Sequence, residues 1–196
     1  MFEENIGLKN FLQSNSERLS VIGIDGLSRS GKTTYVNELG KMLEENHIEY
    51  VCLHMDDFIE RCNKRYNTGF DEWKEYYYLQ WNVESLTVNL FEKLKVSSEL
   101  TLQYYDGESD IQFRKDLKLP SNGVIFIEGV FLQRKEWKGY FDYIIYLDCE
   151  RETRFNRESK STQTQMDKFK NRYWKAEDYY LLNLQPMEHA DIVIKT

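Results

Sequence analysis

Residues 19–33 read Leu19-Ser20-Val21-Ile22-Gly23-Ile24-Asp25-Gly26-Leu27-Ser28-Arg29-Ser30-Gly31-Lys32-Thr33, and this stretch decides the fold. Its first seven residues form a short apolar run with β-branched members, the pattern of a buried strand. The next eight fit the spacing G-x-x-x-x-G-K-[ST]. From Lys32 to Asn46 the apolar residues Val36, Leu39 and Leu43 recur at helical spacing. A buried strand, a glycine-containing turn and a helix opening at Lys32 form the setting in which that spacing grips phosphate. Gly26 and Gly31 permit the tight turn and a close approach of the backbone. Backbone N–H groups of Ser28, Arg29 and Ser30, with the helix N-terminus, favour negative charge. Lys32 is placed to reach the outer phosphates, and the Thr33 hydroxyl to hold Mg²⁺. A surface turn that merely carries a lysine would lack both the strand before it and the helix after it.

Moving outward, residues 48–55 read as a second strand, ending at Asp56-Asp57. Residues 61–82 are polar and aromatic, and 83–95 read as a helix with Val83, Leu86, Leu90 and Leu94 on one face. Leu100, Leu102 and Tyr104 alternate with Thr101, Gln103 and Tyr105, as in a half-exposed strand, and Asp106-Gly107 suggests a hairpin. Residues 123–128 and 143–147 are apolar strands covered on both faces, and 191–194 is a last short one. A charged helix is expected near Glu150 and another over 166–183. Strands alternating with helices predict an α/β fold with a five-stranded parallel sheet. The hairpin, about 99–119, breaks the alternation and is expected to project and shape a substrate site. The whole chain, 1–196, is expected to be one domain.

Ligands of open α/β sheets sit beyond the carboxyl ends of the strands. Asp56 and Asp57 follow the second strand, and Glu128 ends the third. Phosphoryl transfer needs such groups, to activate an acceptor hydroxyl and to hold metal directly or through water. Asp56 is the expected base and metal contact, with Asp57 as the alternative; either could instead cap a turn. Glu128 is read as a Mg²⁺ ligand or as half of a buried ion pair. Arg151, Arg154 and Arg157 share a broad helix face and are candidates to close over a triphosphate, Arg154 foremost. Glu150, Glu152 and Glu158 offer the plainer reading of a solvated, charge-balanced helix. Tyr76, Tyr77, Tyr78, Trp81, Tyr104 and Tyr105 could line an aromatic pocket, although each alone reads as packing. The three histidines lack metal spacing, and His54 reads as a strand residue.

Composition narrows the partners. Apolar residues make up 41% and charged residues 30% of 196, as in a soluble globular chain, and the net charge of −7 disfavours general nucleic-acid binding. The N-terminal residues Met1-Phe2-Glu3-Glu4 are acidic where a signal peptide is basic. Apolar runs stop at about six residues, far short of a membrane span. Cys52, Cys62 and Cys149 read as free thiols of a reducing cytoplasm.

With these motifs in order, the chain resembles the uridine kinase and phosphoribulokinase group of P-loop kinases from about residue 19 to 194. The opening strand and Ser30-Gly31-Lys32-Thr33-Thr34 are similar to that group's phosphate loop. His54-Met55-Asp56-Asp57-Phe58 resembles its aspartate segment, with nicotinamide riboside kinases the nearest likeness. Tyr105-Asp106 looks like its substrate-hairpin pair, Ile127-Glu128-Gly129 like its third strand end, and Thr153-Arg154 with Arg157 like the start of its lid. The resemblance implies a P-loop NTPase fold with a helical lid over about 150–172, Mg-ATP as donor, and phosphorylation of a hydroxyl on a nucleoside or nucleoside-like compound. It implies that Lys32, Asp56 and Arg154 are catalytic. It implies an ATP site that includes Thr34 and Arg157, and a metal near Thr33, Asp56 and Glu128. It implies that Phe58, Tyr105 and Asp106 join Asp56 at the acceptor, and that the protein forms a homo-oligomer. The departures fall at the acceptor side: Gly107-Glu108-Ser109-Asp110 follows Asp106, and 158–170 lacks the arginine pairs usual in uridine kinase lids. Two other readings stand beside it, a nucleotide-binding regulatory ATPase and a plain NTPase. The guanine-reading Asn-Lys-x-Asp segment of switch GTPases is missing from the sequence.

Overall fold

The structure is a computed structural model and describes residues 6–196. Among the described residues seven strands form: β1 Leu19–Gly26, β2 Tyr50–His54, β3 Glu99–Asp106, β4 Ile111–Lys118, β5 Gly123–Gly129, β6 Tyr143–Asp148 and β7 Ile192–Lys195. Five of them make a parallel sheet in the order β2-β5-β1-β6-β7, and β3 pairs with β4 as a separate antiparallel hairpin. β1, β5 and β6 are buried almost throughout, as their unbroken apolar runs require of strands covered on both faces. Their side chains feed two apolar clusters, one on each side of the sheet. Leu8, Val36, Leu39 and Leu43 cover one face, from the helices Ile6–Ser14 and Lys32–Glu45. Tyr76, Tyr77, Phe131, Trp137 and Tyr180 dominate the other.

The expected helix over 83–95 is interrupted. An α-helix runs over Val83–Asn89, with Asn82 Oδ1 accepting from the Ser85 N–H, and a 3₁₀ turn follows at Phe91–Lys93. Residues 61–82 contain a helix, Glu72–Tyr78, whose buried face is Glu75, Tyr76 and Tyr77. The long expected helix over 166–183 is Met166–Lys168, a π-helical turn at Phe169–Tyr173 and the α-helix Trp174–Leu184. The π turn accommodates buried Arg172, whose guanidinium donates to Glu75 Oε2 at 3.1 Å, to the Glu72 carbonyl at 3.2 Å and to the Arg65 carbonyl at 2.9 Å. The hairpin does not simply stand off the core. Leu100, Leu102 and Tyr104 bury one face of β3 in the second cluster, and Tyr104 meets Phe58 edge-on at 5.0 Å. Only β4 lies largely in solvent.

Gly123 opens β5 at φ +101°, and a Cβ there would stand 2.1 Å from the Glu49 carbonyl oxygen, the acceptor of the Val124 N–H. Both the left-handed backbone and the close approach exclude a side chain. Gly123→Ala is therefore expected to destabilise the protein by more than about 1 kcal/mol, lowering the melting temperature by at least ~2–4 °C. Thermal unfolding followed by circular dichroism checks this, and an unchanged midpoint would contradict it.

Candidate active site

The register of the sheet sets the site. In the pairing of β2 with β5, His54 stands opposite Glu128; in that of β1 with β5, Asp25 stands opposite Gly129. The phosphate loop after β1, the Asp56-Asp57 segment after β2 and the carboxylate ending β5 therefore emerge along one edge. They meet at a cavity of about 760 Å³. Lys32, Thr33, Asp56, Glu128, Arg154 and Arg157 all line it, as do Ser28, Arg29, Gly31 and Thr34.

The phosphate loop is held mainly through its carbonyls. Lys32 Nζ donates to the Leu27 carbonyl at 3.0 Å, Arg154 Nη1 to that of Ser28 at 3.2 Å and Arg157 Nη1 to that of Arg29 at 2.9 Å; Thr196 Oγ1 donates to that of Ser30 at 2.8 Å. Gly26 leaves no room for a side chain, since a Cβ would lie 2.8 Å from the Leu147 carbonyl oxygen. Beneath it Asp25 is fully buried. Its carboxylate accepts from the Gly26 N–H at 2.8 Å, from Gln133 Nε2 at 2.9 Å and from the Tyr180 hydroxyl. Burial raises the Asp25 carboxyl despite the opposing hydrogen bonds from Tyr180, Gln133 and Gly26.

Thr33 Oγ1 donates to Glu128 Oε1 at 3.0 Å, and His54 Nδ1 lies 2.7 Å from the same oxygen. Hydrogen bonding to the Cys52 side chain and to Glu128 raises His54 to about 10 against the effect of burial, so the ring is cationic at neutral pH. Burial would push the Glu128 carboxyl up. Hydrogen bonds from His54 and Thr33 and the positive charges of Lys32 and His54 together hold it below its usual range. Lys32 is pushed down by burial, while Glu128, Asp56, Asp25 and Glu177 act the other way. Asp56 opens onto the cavity's solvent but has protein around most of it; this burial raises its carboxyl, Glu128 and Asp57 add to the rise, and Lys32 and His54 oppose it.

The other expected residues are tied up by protein partners or lie off the cavity wall. Arg154 does not hang free over the loop. It is buried in a two-pronged pair with Glu177, at 2.8 and 3.0 Å, and donates to the Cys149 carbonyl. Arg151 turns away from the loop to Asp178 and the Trp174 ring. Ser30 is buried, and its hydroxyl does not line the cavity. Phe58 is a core residue under Tyr104 and likewise leaves the cavity wall to others. Tyr105 lies behind the wall. Its hydroxyl accepts from Arg65 Nη2 at 3.0 Å and donates to Asp110 Oδ1 at 3.0 Å. Asp106 closes its own turn, accepting from the Glu108 N–H at 2.9 Å and the Ser109 hydroxyl at 2.5 Å. Of the aromatic residues singled out in the sequence, Tyr76 lines the cavity; Tyr77 and Trp81 pack in the core. Cys52, Cys62 and Cys149 are free.

Several contributors escape a linear reading. His54 shares the strand alternation of Cys52 and the parity of Asp56, which is a faint signal, but its partner Glu128 appears only with the strand order. Asp25 is an ionisable residue in a buried run, and such a group needs partners. Arg65 and Gln80 line the cavity beside Asp56 with no motif to announce them.

Comparison with known proteins gives the family. The profile of the phosphoribulokinase and uridine kinase family matches residues 21–195. The chain belongs to that family. Family membership makes it a P-loop kinase, a phosphotransferase acting on small molecules. Its structure is similar to one titled a possible uridine kinase from Bacillus stearothermophilus, with TM-score 0.86 and 47% identity over 98% of each chain. It is 31% identical to a uridine kinase of Staphylococcus aureus over 79% of this chain and 75% of that protein. It is 26% identical to uridine-cytidine kinase B of Dictyostelium discoideum over 95% of this chain and 79% of that one. No helix among the described residues is long and apolar enough to cross a membrane.

The buried Arg154–Glu177 pair joins the phosphate loop to the helix Trp174–Leu184. Glu177→Ala would leave the guanidinium buried without its counter-charge. The expected cost is about 3–5 kcal/mol, read by denaturant unfolding. A loss below about 1 kcal/mol would mean that the pair is not holding these elements together.

Proposed function

We propose that the protein transfers the γ-phosphate of ATP to a hydroxyl of a nucleoside or nucleoside-like compound. The observation that carries this reading is the place of Asp56, a carboxylate on the wall of the cavity that also contains Lys32, Thr33 and Glu128, with the surrounding protein pushing its pKa up. A base must be ionised yet basic enough to draw a proton from an alcohol as it attacks, and a raised carboxylate suits that task better than an ordinary one. Asp57 is less suited, because it does not line the cavity. Lys32 supplies positive charge toward the outer phosphates, and the amide groups of the loop orient them. Arg157, exposed and held through the Arg29 carbonyl, can shift toward the triphosphate more readily than buried Arg154.

Mg²⁺ fits the donor set. Thr33 Oγ1 and Glu128 Oε1 are hard oxygens already 3.0 Å apart, next to Asp56. Among the described residues no three His, Cys, Asp or Glu side chains gather into a cage of their own. Mg²⁺ that travels with a nucleotide takes most of its ligands from phosphates and water, so one or two protein oxygens suffice. Thr33 and Glu128 would hold it, with Asp56 close by; when bound, the ion neutralises charge on the transferring phosphoryl group. His54 keeps Glu128 oriented and ionised for that role.

Incubation with Mg-ATP and a panel of nucleosides, vitamins and sugar acids, with ADP release and product followed, tests the reading. Release above the water background with at least one nucleoside-like compound is expected, and a flat panel would reject it. Asp56→Asn is expected to keep ATP binding and lose about 10²–10⁴-fold in transfer. Full transfer by that variant would move the base to Asp57. The pH profile carries a sign. Asp56 acts when deprotonated, so kcat/KM should rise with pH through an acidic limb centred above the ordinary aspartate value of 3.8. A limb at or below that value would exclude Asp56 as the titrating group.

A further inference from the structure

Asp25 is a fully buried carboxylate that the transfer chemistry does not use, and its partners come from three separate segments. Oδ1 accepts from the Gly26 N–H at 2.8 Å, which fixes the first peptide of the phosphate loop. The same oxygen lies 3.4 Å from the Leu132 N–H, and Oδ2 accepts from Gln133 Nε2 at 2.9 Å. Both of those residues belong to the turn that follows Glu128 and Gly129. The third partner is the Tyr180 hydroxyl, on the helix Trp174–Leu184, which donates to Oδ2. That hydroxyl also accepts from the Gln133 N–H at 3.0 Å and so closes the cluster.

The turn after β5 is held against its own preference. Phe131 is buried and sits at φ +62°, a left-handed conformation that a bulky residue rarely adopts. Such a residue persists only where its surroundings over-determine it. Here Tyr76 and Tyr180 meet its ring edge-on at 5.4 and 5.1 Å, and Asp25 and Tyr180 bind the two residues that follow. The strained turn therefore lies between the strand end that carries Glu128 and the cluster around Asp25.

Packing alone does not call for a carboxylate at this place, since an apolar group of the same shape would be buried without the cost of desolvating a charge. What the carboxylate adds is direction. Thr33 and Glu128 stand 3.0 Å apart, one on the helix that the loop opens and the other at the end of β5, and Asp25 is tied to both segments. The helix Trp174–Leu184 reaches the loop a second time. Glu177, three residues before Tyr180 and on the same face, pairs with Arg154, which donates to the Ser28 carbonyl. We infer that Asp25 and Tyr180 are positioning residues for the phosphate donor: they set the loop against the strand end that carries Glu128, so that a triphosphate with its Mg²⁺ meets both at once. This inference rests on Mg-ATP being the ligand of the loop, as proposed above.

Tyr180→Phe keeps the ring in the core and removes one hydroxyl. Leu86→Ala, which opens a cavity elsewhere in the same apolar cluster, is the control for lost stability. Titration calorimetry with Mg²⁺ and a non-hydrolysable ATP analogue, at a temperature where every variant is folded, reads the effect. Tyr180→Phe is expected to weaken binding at least about fivefold, and Leu86→Ala to leave it within about twofold. Weakening of less than about fivefold, or the same weakening in Leu86→Ala, would make the cluster merely structural and overturn the inference. Should Tyr180→Phe fail to fold, hydrogen exchange of the wild-type protein decides. The Mg²⁺–analogue complex is expected to slow exchange in residues 131–135 and 178–184, none of which lines the cavity, as well as in the loop. Protection confined to residues that line the cavity overturns the inference. Binding by the wild type with an unaffected variant sinks the positioning role alone. A wild type that binds no nucleotide sinks the donor reading and the positioning role with it.

Discussion

The parallel pairing of β5 between β1 and β2 is the constraint on which the site depends. Three segments far apart in sequence, the phosphate loop, Asp56-Asp57 and Glu128, come together because their strands end at the same edge in register. A slip of one residue would move every side chain of a strand to the other face. Glu128 would then lose both Thr33 and His54, and the strand's side chains would no longer fit the two apolar clusters that they fill. The buried runs of β1 and β5 thus do two things with one set of residues: they fix the register by burial, and the register fixes the chemistry.

Charge is arranged around that edge in a way that anticipates a polyanion. Lys32 is buried and faces Glu128, Asp56, Asp25 and Glu177, four carboxylates that offset its desolvation. Asp25 is set apart by its hydrogen bonds to Gln133 and Tyr180, and Glu177 by Arg154. Glu128 and Asp56 remain facing the cavity with Lys32. His54 beside Glu128 joins Lys32 in offsetting the two acids, and a divalent cation would accompany the further negative charge of arriving phosphates. The raised Asp56 and the lowered Glu128 follow from the same crowding: Glu128 has His54 and Thr33 to stabilise its charge, and Asp56 has neither within hydrogen-bonding reach. Two carboxylates a few residues from one another in space are thereby driven to different pKa values, which suits one for proton transfer and the other for a metal.

The donor half of the site was legible in the sequence because local chemistry dictates it. Gly26 and Gly31, the lysine and threonine that follow, and the strand and helix on either side lie within one contiguous stretch. Asp56 and Glu128 were legible as strand ends, once the apolar runs were taken as parallel strands. The cavity wall that carries Arg65 and Gln80 was not, for a physical reason. Arg65 and Gln80 reach the cavity through a short helix and a bridge whose partners, Ile59 and Trp81, lie some twenty residues apart. Tyr105-Asp106 has the spacing of a substrate contact, yet the Gly107-Glu108-Ser109 turn draws the Asp106 carboxylate back onto its own backbone. The long helix expected over 166–183 gives way to a π turn because Arg172 is drawn inward to Glu75 across the fold, a tertiary demand that local periodicity does not contain.

The arginines after β6 change meaning once the loop's carbonyls are considered. A phosphate loop works by turning N–H groups toward an anion, and each peptide that does so leaves a carbonyl to be satisfied elsewhere. Here the carbonyls of Leu27, Ser28, Arg29 and Ser30 are taken in turn by Lys32, Arg154, Arg157 and Thr196. Arg154 and Arg157 therefore support the loop from outside before they can act on a phosphate, and Thr196 completes the set. The three-residue spacing of Arg154 and Arg157 matches two adjacent carbonyls of the loop. Preorganisation of the loop is the first thing that spacing achieves, and any closure over a triphosphate would begin from Arg157, the member with no buried carboxylate to hold it.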